Sequence, residues 1–260
     1  MALHLLTVRE VQTAPEGDLS DGAGLMLRVR GASVIFHKHC SSNPAAAIRR
    51  KMRETLPAKK AGKFAALPYR ELPAFMHRLR EQQGTAARCL EFAVHTAART
   101  NEVLSMLWSE VDLETGEWLV PASKMKAKED HLVYLSPQAI DLLKARKALW
   151  LDPAIVFPSV TLEHQPMSNM AMLAVLDRMG VRDRTTVHGL CRATFSTWAY
   201  DTAAARPDVI EVCLAHREAD KVKAAYNRAQ FTEERRALMC AWAEHLARSV
   251  SNVVSMRVAR

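Results

Sequence analysis

The stretch from Thr186 to Tyr226 constrains this chain more than any other, because it spreads chemistry-bearing side chains over what read as three short helices. It runs T-V-H-G-L-C-R-A-T-F-S-T-W-A and then P-D-V-I-E-V-C-L-A-H-R-E-A-D-K-V-K-A-A-Y, setting His188, Arg192, His216 and Tyr226 within 39 residues. Two imidazoles, a guanidinium and a phenol suit work on a phosphodiester. They offer donors for the phosphate oxygens, a proton acceptor and a hydroxyl able to attack. The set is poorly matched to a metal or a nucleotide cofactor, and no cofactor is expected.

The totals are compatible with that chemistry. A chain of 260 residues with 49% hydrophobic residues and 9 Gly has the material for one large core, or a core plus a small appendage. Its 36 Lys+Arg against 28 Asp+Glu leave a net charge of +8, an excess that favours a polyanionic partner such as nucleic acid. The cysteines Cys40, Cys89, Cys191, Cys213 and Cys240 are scattered and form no C-x-x-C pair, which fits reduced thiols better than a disulfide framework. No apolar run reaches the ~18 residues of a membrane span, and the start, M-A-L-H-L-L-T-V-R-E, is charged too soon for a signal peptide. A cytoplasmic protein is the expectation.

Taken in order, residues 1–40 predict a small β unit. Leu19 to Gly24 reads as a turn, Leu25, Leu27 and Val29 alternate as in a strand, and Val34-Ile35-Phe36 suits a second strand. His37, His39 and Cys40 could ligate a metal, but no second cluster completes a site, so none is expected. Residues 41–66 read as a basic linker in which Arg49, Arg50, Lys51, Arg53, Lys59, Lys60 and Lys63 face one acid, Glu54. This is a solvated tether or a strap lying on a phosphate backbone.

From Leu67 the period becomes helical. Leu72, Phe75, Met76 and Leu79 share one face, with Gly84 as the stop. Thr85 is expected to cap a second helix. Thr100 is expected to cap a third that carries Val103, Leu104, Leu107 and Trp108, which leaves Arg99 at a helix N-terminus where N–H groups favour an anion. Val111 to Val120 predicts a hairpin turning at Glu114-Thr115-Gly116, and His131 to Leu135 a third strand after a loop holding Lys124, Lys126 and Lys128. Ser136-Pro137 and Ser168 open further helices, and a last one runs from Thr232 to about Val250. The fold class is mainly α with a small antiparallel sheet (α+β), covering roughly residues 67–260. Trp108, Trp118, Trp198 and Trp242 are expected in its core.

Several segments together resemble the catalytic domain of the tyrosine recombinases, of the phage- and island-type integrase branch. They are T-A-A-R-T-N-E-V-L with W-S-E-V-D-L, then P-A-S-K-M-K-A-K-E-D-H-L-V-Y-L-S, H-G-L-C-R-A-T-F-S-T-W and L-A-H-R-E-A-D-K-V-K-A-A-Y-N-R. The start, L-S-D-G-A-G-L-M-L-R-V-R, is similar to the N-terminal arm-binding domain of the same integrases. The resemblance implies site-specific recombination of double-stranded DNA through a 3′-phosphotyrosyl intermediate. In it Tyr226 is the nucleophile, Arg99 and Arg192 clamp the phosphate and His216 adds a hydrogen bond. His188 assists deprotonation, Lys126 (with Lys124 in reserve) protonates the leaving oxygen, and Glu102 steadies a guanidinium. It also implies self-association on DNA at the nucleoid, with the helix from Thr232 docking on a neighbouring protomer. Taken singly, each residue would be ordinary packing or surface charge; their joint order carries the resemblance.

Two departures stand out. The family spaces histidine and second arginine as H-x-x-R, whereas His188 and Arg192 are four apart, a rotation of about 100° on a helix unless Gly189, with His188 in the preceding loop, absorbs it. Fewer than 30 residues separate His39 from Leu67, too few for the helical core-binding domain these integrases carry. A chain shortened in this way is expected to cleave weakly and to lose full recombination. Its alternatives are a DNA-binding remnant without catalysis and a relaxer of the type IB topoisomerase kind.

Overall fold

The computed structural model describes residues 17–20, 25–30, 33–38, 65–216 and 231–248. The chain divides into two compact units, Met1–Gly62 and Lys63–Arg260. In the first, strands β1 (Gly17–Ser20), β2 (Leu25–Arg30) and β3 (Ser33–Lys38) form an antiparallel sheet in the order β1-β2-β3. Leu19 and Ser20, expected in a turn, instead pair with Leu27 and Met26 as the end of a strand. The expected linker up to residue 64 lies outside the described residues.

The second unit is built around one helix. A 3-10 turn, Tyr69–Glu71, leads into α1 (Leu72–Glu81), which buries Leu72, Phe75, Met76 and Leu79, the face that the sequence period marks. Helix α2 (Thr85–Thr96) follows Gly84, whose φ of 96° is open to glycine and strained for other residues. Gly84, not Thr85, holds the N-cap; Thr85 is the first helical residue, and its hydroxyl accepts a bond from Arg146 Nη2 at 3.2 Å. Ala87, Cys89, Leu90, Phe92, Ala93 and Val94 are fully buried, so α2 is surrounded on nearly all sides.

Helix α3 (Thr100–Leu104) is shorter than its apolar pattern predicts, and Arg99, not Thr100, is its N-cap. The chain leaves the helix because long-range backbone bonds compete for it. Val156 N–H bonds Met106 O at 3.1 Å, and Trp108 N–H bonds Ala154 O at 2.9 Å. A 3-10 turn at Trp108–Glu110 then enters the sheet of β4 (Val111–Asp112), β5 (Glu117–Val120) and β6 (His131–Tyr134), in the order β4-β5-β6. Gly116, with φ of 69°, makes the turn between β4 and β5. Helix α4 (Pro137–Ala148) starts where expected, with Ser136 Oγ accepting from Ala139 N–H. Helix α5 (Ala171–Arg178) is preceded by a turn in which Ser168 Oγ accepts from Met170 N–H, and Gly180 closes it.

A helical run then begins at Val187, passes through a π-turn at Gly189–Ala193 and continues as α6 (Thr194–Asp201). Helix α7 (Pro207–Cys213) follows, and α8 (Thr232–Ala247) ends the described chain. Trp198 and Trp242 stack at 4.8 Å between ring centres against Phe195 and His245, and Trp242 Nε1 donates to Val94 O at 2.8 Å. Helix α8 thus buries Leu238, Met239, Trp242 and Leu246 in its own chain's core. The apolar face of the helix from Thr232, expected to dock on a neighbouring protomer, packs within its own chain. Trp118, Trp198 and Trp242 are core residues, and Trp108 packs partly buried against them. Among the described residues no helix is long and apolar enough to cross a membrane.

Candidate active site

Two helix ends create the site. Helix α2 stops at Ala97, which takes a left-handed conformation (φ 51°) and turns the chain into Arg99. Arg99 is extended (φ −78°, ψ 147°), and the Glu102 carboxylate reaches back to its N–H at 2.8 Å and its Nη1 at 2.7 Å. Glu102 is 3% exposed, so this pairing both neutralises a buried carboxylate and fixes one edge of the guanidinium. The other edge, Nη2, donates to Ala215 O at 3.1 Å.

Helix α7 ends in the same way. Ala215 is left-handed (φ 49°), Ala215 N–H bonds Val212 O at 3.0 Å, and His216 N–H reaches Glu211 O at 3.0 Å. That is a Schellman ending with alanine where glycine is usual. It turns the carbonyls of Leu214 and Ala215 outward, and both are taken by arginines. Arg192 donates Nη2 to Leu214 O at 2.5 Å and Nη1 to Ala97 O at 2.7 Å, spanning the C-terminal ends of α2 and α7. A cation is favoured at each end by the helix dipole. Burial, and after it the Arg99 charge, lower the Arg192 guanidinium to about 10, and its Nε is buried without a partner among the described residues.

His216 leaves the α7 end and meets Arg192. Its Nε2 accepts from Arg192 Nη2 at 3.1 Å, and its Nδ1 donates to Glu211 Oε2 at 2.7 Å. The other Glu211 oxygen accepts from Tyr200 OH at 2.8 Å. The chain Tyr200–Glu211–His216–Arg192 therefore sets the tautomer of the imidazole, with the proton on Nδ1. Burial and the bond to Glu211 push the Tyr200 phenol up to about 12.

His188 is helical, with φ −62° and ψ −44°, and not in a preceding loop; the π-turn at Gly189–Ala193 follows it and contains Arg192. Its ring is solvent-exposed on one side, and its imidazole is lowered by partial burial and then by the charges of Arg192, Arg99 and His216. Arg99, Glu102, His188, Arg192 and His216 thus come together from the α2–α3 junction, the π-turn and the α7 end. Lys126 is exposed on the loop between β5 and β6 and makes no hydrogen bond or ion pair among the described residues. Lys124 is engaged elsewhere, with the Glu110 carboxylate and Ser105 O. Tyr226 lies outside the described residues. Among those residues no cluster of three His, Cys, Asp or Glu could hold a metal.

One member has no sequence signal. His131, the first residue of β6, is pushed down to about 4 by burial and then by the charges of Arg235 and Arg99, while a bond to the Cys213 backbone acts the other way. It stands as a neutral imidazole beside the guanidiniums. In the sequence it is one polar residue at a strand start, and only the tertiary fold brings it to α7. Two guanidiniums held this close repel each other, and an anion between them relieves that repulsion. The arrangement is suited to holding an oxyanion and developing charge on it.

Comparison with known proteins gives a consistent result. The model of the phage integrase family matches residues 66–233. A prophage integrase of Escherichia coli K12, IntA, is 37% identical over 176 residues, 67% of this chain and 42% of that protein. The integrase of Enterobacteria phage P4 is 27% identical over 272 residues, covering 98% of this chain and 61% of its own length. The chain spans about half the length of the curated relatives that it matches, between 42% and 61% for these two. Among solved structures, the integrase of mycobacterium phage Brujita superposes with a TM-score of 0.52 at 14% identity, covering 82% of this chain and 68% of that one. XerA recombinase gives 0.50 at 16% identity, with 75% and 68% covered. These structural likenesses bear on the fold.

Proposed function

The chain belongs to the phage integrase family of tyrosine recombinases, and on that premise we propose that it cleaves and rejoins double-stranded DNA at specific sites through a 3′-phosphotyrosyl ester. The observation that carries this reading is the meeting of Arg99, Arg192 and His216 at the end of α7, with Arg192 bonded directly to His216. In the proposed reaction the Tyr226 oxygen attacks the scissile phosphorus and the bond to the 5′-oxygen breaks. His188 takes the phenolic proton, and Lys126 supplies one to the departing 5′-oxygen. Arg99, Arg192 and His216 hold the non-bridging oxygens, on which charge grows in the transition state. The ester conserves the energy of the broken bond, so a 5′-hydroxyl from another strand reverses the step without ATP.

Two features support these assignments. Glu102 holds both the N–H and the guanidinium of Arg99, the part of a steadying group. Lys124 is already committed to Glu110, whereas Lys126 on the same loop is exposed. The substrate would be an attachment site in chromosomal or phage DNA, which puts the protein in the cytoplasm at the nucleoid, self-associated on its DNA. Residues 1–40 would serve as an arm-binding-like unit and 41–66 as a basic linker, either a solvated tether or a strap on the phosphate backbone.

The test is a nicked, suicide-type duplex carrying the attachment site. Incubation with wild type is expected to give a protein–DNA adduct in a denaturing gel, and Tyr226→Phe none. Absence of an adduct on every flanking genomic fragment, with binding retained, points instead to a DNA-binding remnant. Relaxation of supercoiled plasmid without recombination would point to a topoisomerase-like relaxer.

A further inference from the structure

The helical run from Val187 to Asp201 holds one turn that is wider than the rest. Leu190 N–H bonds Thr186 O, four residues back, at 2.8 Å, but Thr194 N–H bonds Gly189 O, five residues back. Such an i→i+5 turn holds about one residue more than the 3.6 of an α-turn, while the helix on either side keeps its direction. The consequence falls on Arg192. In a continuous α-helix four steps of ~100° would carry it ~40° beyond a full turn from His188. The wider turn rotates less per residue and brings it back toward the place that the third residue after His188 would occupy.

The surroundings show that this conformation is held from outside. Arg192 is 4% exposed and anchored at Ala97 O and Leu214 O. Thr194 Oγ1 donates to Leu67 O at 2.9 Å and to Gly189 O at 3.1 Å. Gly189 lies against the chain at Ala65, where an added Cβ would be 1.9 Å from the Ala65 oxygen, so the wide turn begins at a position open only to glycine. Between Gly189 and Arg192 stand Leu190 and Cys191, both buried. Cys191 is the smaller, and its removal leaves the smaller hole.

We infer that Cys191 is a surplus residue in this helix, and that the widened turn around it is the positioning device that keeps Arg192 on the side of the site shared by His188, Arg99 and His216. For the role of Arg192 at that place, the inference rests on the proposed strand-cleavage reading. The chemistry of the cysteine is immaterial to it; only the count of residues matters.

The experiment is a set of length and order variants of the full chain, compared by adduct formation on the suicide duplex and by thermal melting. Deletion of residue 191 is expected to close the turn into an α-turn, melt within about 5 °C of wild type and keep cleavage within about tenfold. The order swap C191R/R192C preserves length and composition but moves the guanidinium one position, and is expected to lower cleavage by ~100-fold or more. Loss of cleavage in the deletion variant, or full activity in the swap, overturns the inference. If wild type itself gives no adduct, the recombinase reading fails separately. The melting comparison still decides then, because a deletion variant that melts more than about 15 °C lower shows that residue 191 is not surplus.

Discussion

Arg192 is the residue on which the site turns, since one side chain bonds to the ends of two helices and to His216. Replacing it with lysine keeps the charge but cannot span both carbonyls. Arg192→Lys is therefore expected to lower cleavage by ~100-fold, and to reduce stability by about 1–3 kcal/mol in urea unfolding because a buried carbonyl loses its donor. Gly189→Ala places a methyl group against the Ala65 backbone and is expected to cost about 1–3 kcal/mol in the same measurement. At this scale much of the site was legible. Arg99 with Glu102, and Arg192 with His216, sit in short segments whose residue order resembles a known pattern. His131 was not legible, because its closeness to Arg99 comes from the packing of β6 near α7 and not from any spacing. Nor were Ala97 and Ala215, since a left-handed alanine at a helix end leaves no mark where glycine would.

At the scale of elements, the apolar period located α1, and Ser136-Pro137 located the start of α4 closely. The sequence misjudged α3, where competing backbone bonds to Ala154 and Val156 end the helix early, a tertiary effect that a local pattern does not contain. For α8 the apolar residues show that the helix docks, but not on what. Within its own chain α8 holds on by Trp242 in the aromatic cluster and by polar ties to the sheet. Arg235 donates to Leu132 O, and Arg236 donates to Thr115 O and to the Glu117 carboxylate. Trp242→Ala is expected to cost about 3–5 kcal/mol, read from the denaturant midpoint. A helix that exchanged onto another protomer would instead give a loss that varies with protein concentration.

For the molecule as a whole, acid should act through buried imidazoles before it acts through carboxylates. Burial, and then the Arg80 charge, hold His95 down at about 3, while an unfolded histidine titrates near 6.5. Between those values the unfolded chain binds a proton that the folded chain refuses, so stability falls as pH drops through this window. His95 alone is expected to remove about 2 kcal/mol between pH 7 and pH 5, and His131, held at about 4, acts in the same direction. Urea unfolding at the two pH values checks this, and His95→Gln should flatten the slope. The division into Met1–Gly62 and Lys63–Arg260 leads to one more outcome. The fragment 63–260 is expected to melt as one cooperative transition by circular dichroism, since this unit has its own buried aromatic cluster.

The anchoring of Arg192 on the ends of α2 and α7 also bears on when the proposed strand-cleaving site is complete. Helix α7 lies more than a hundred residues after α2, so during synthesis the second anchor emerges late. Until both helices have formed, nothing holds the guanidinium in place. A half-made polypeptide on the ribosome, or one in which α7 has frayed, would carry its arginines without a grip, and the proposed site would not yet exist.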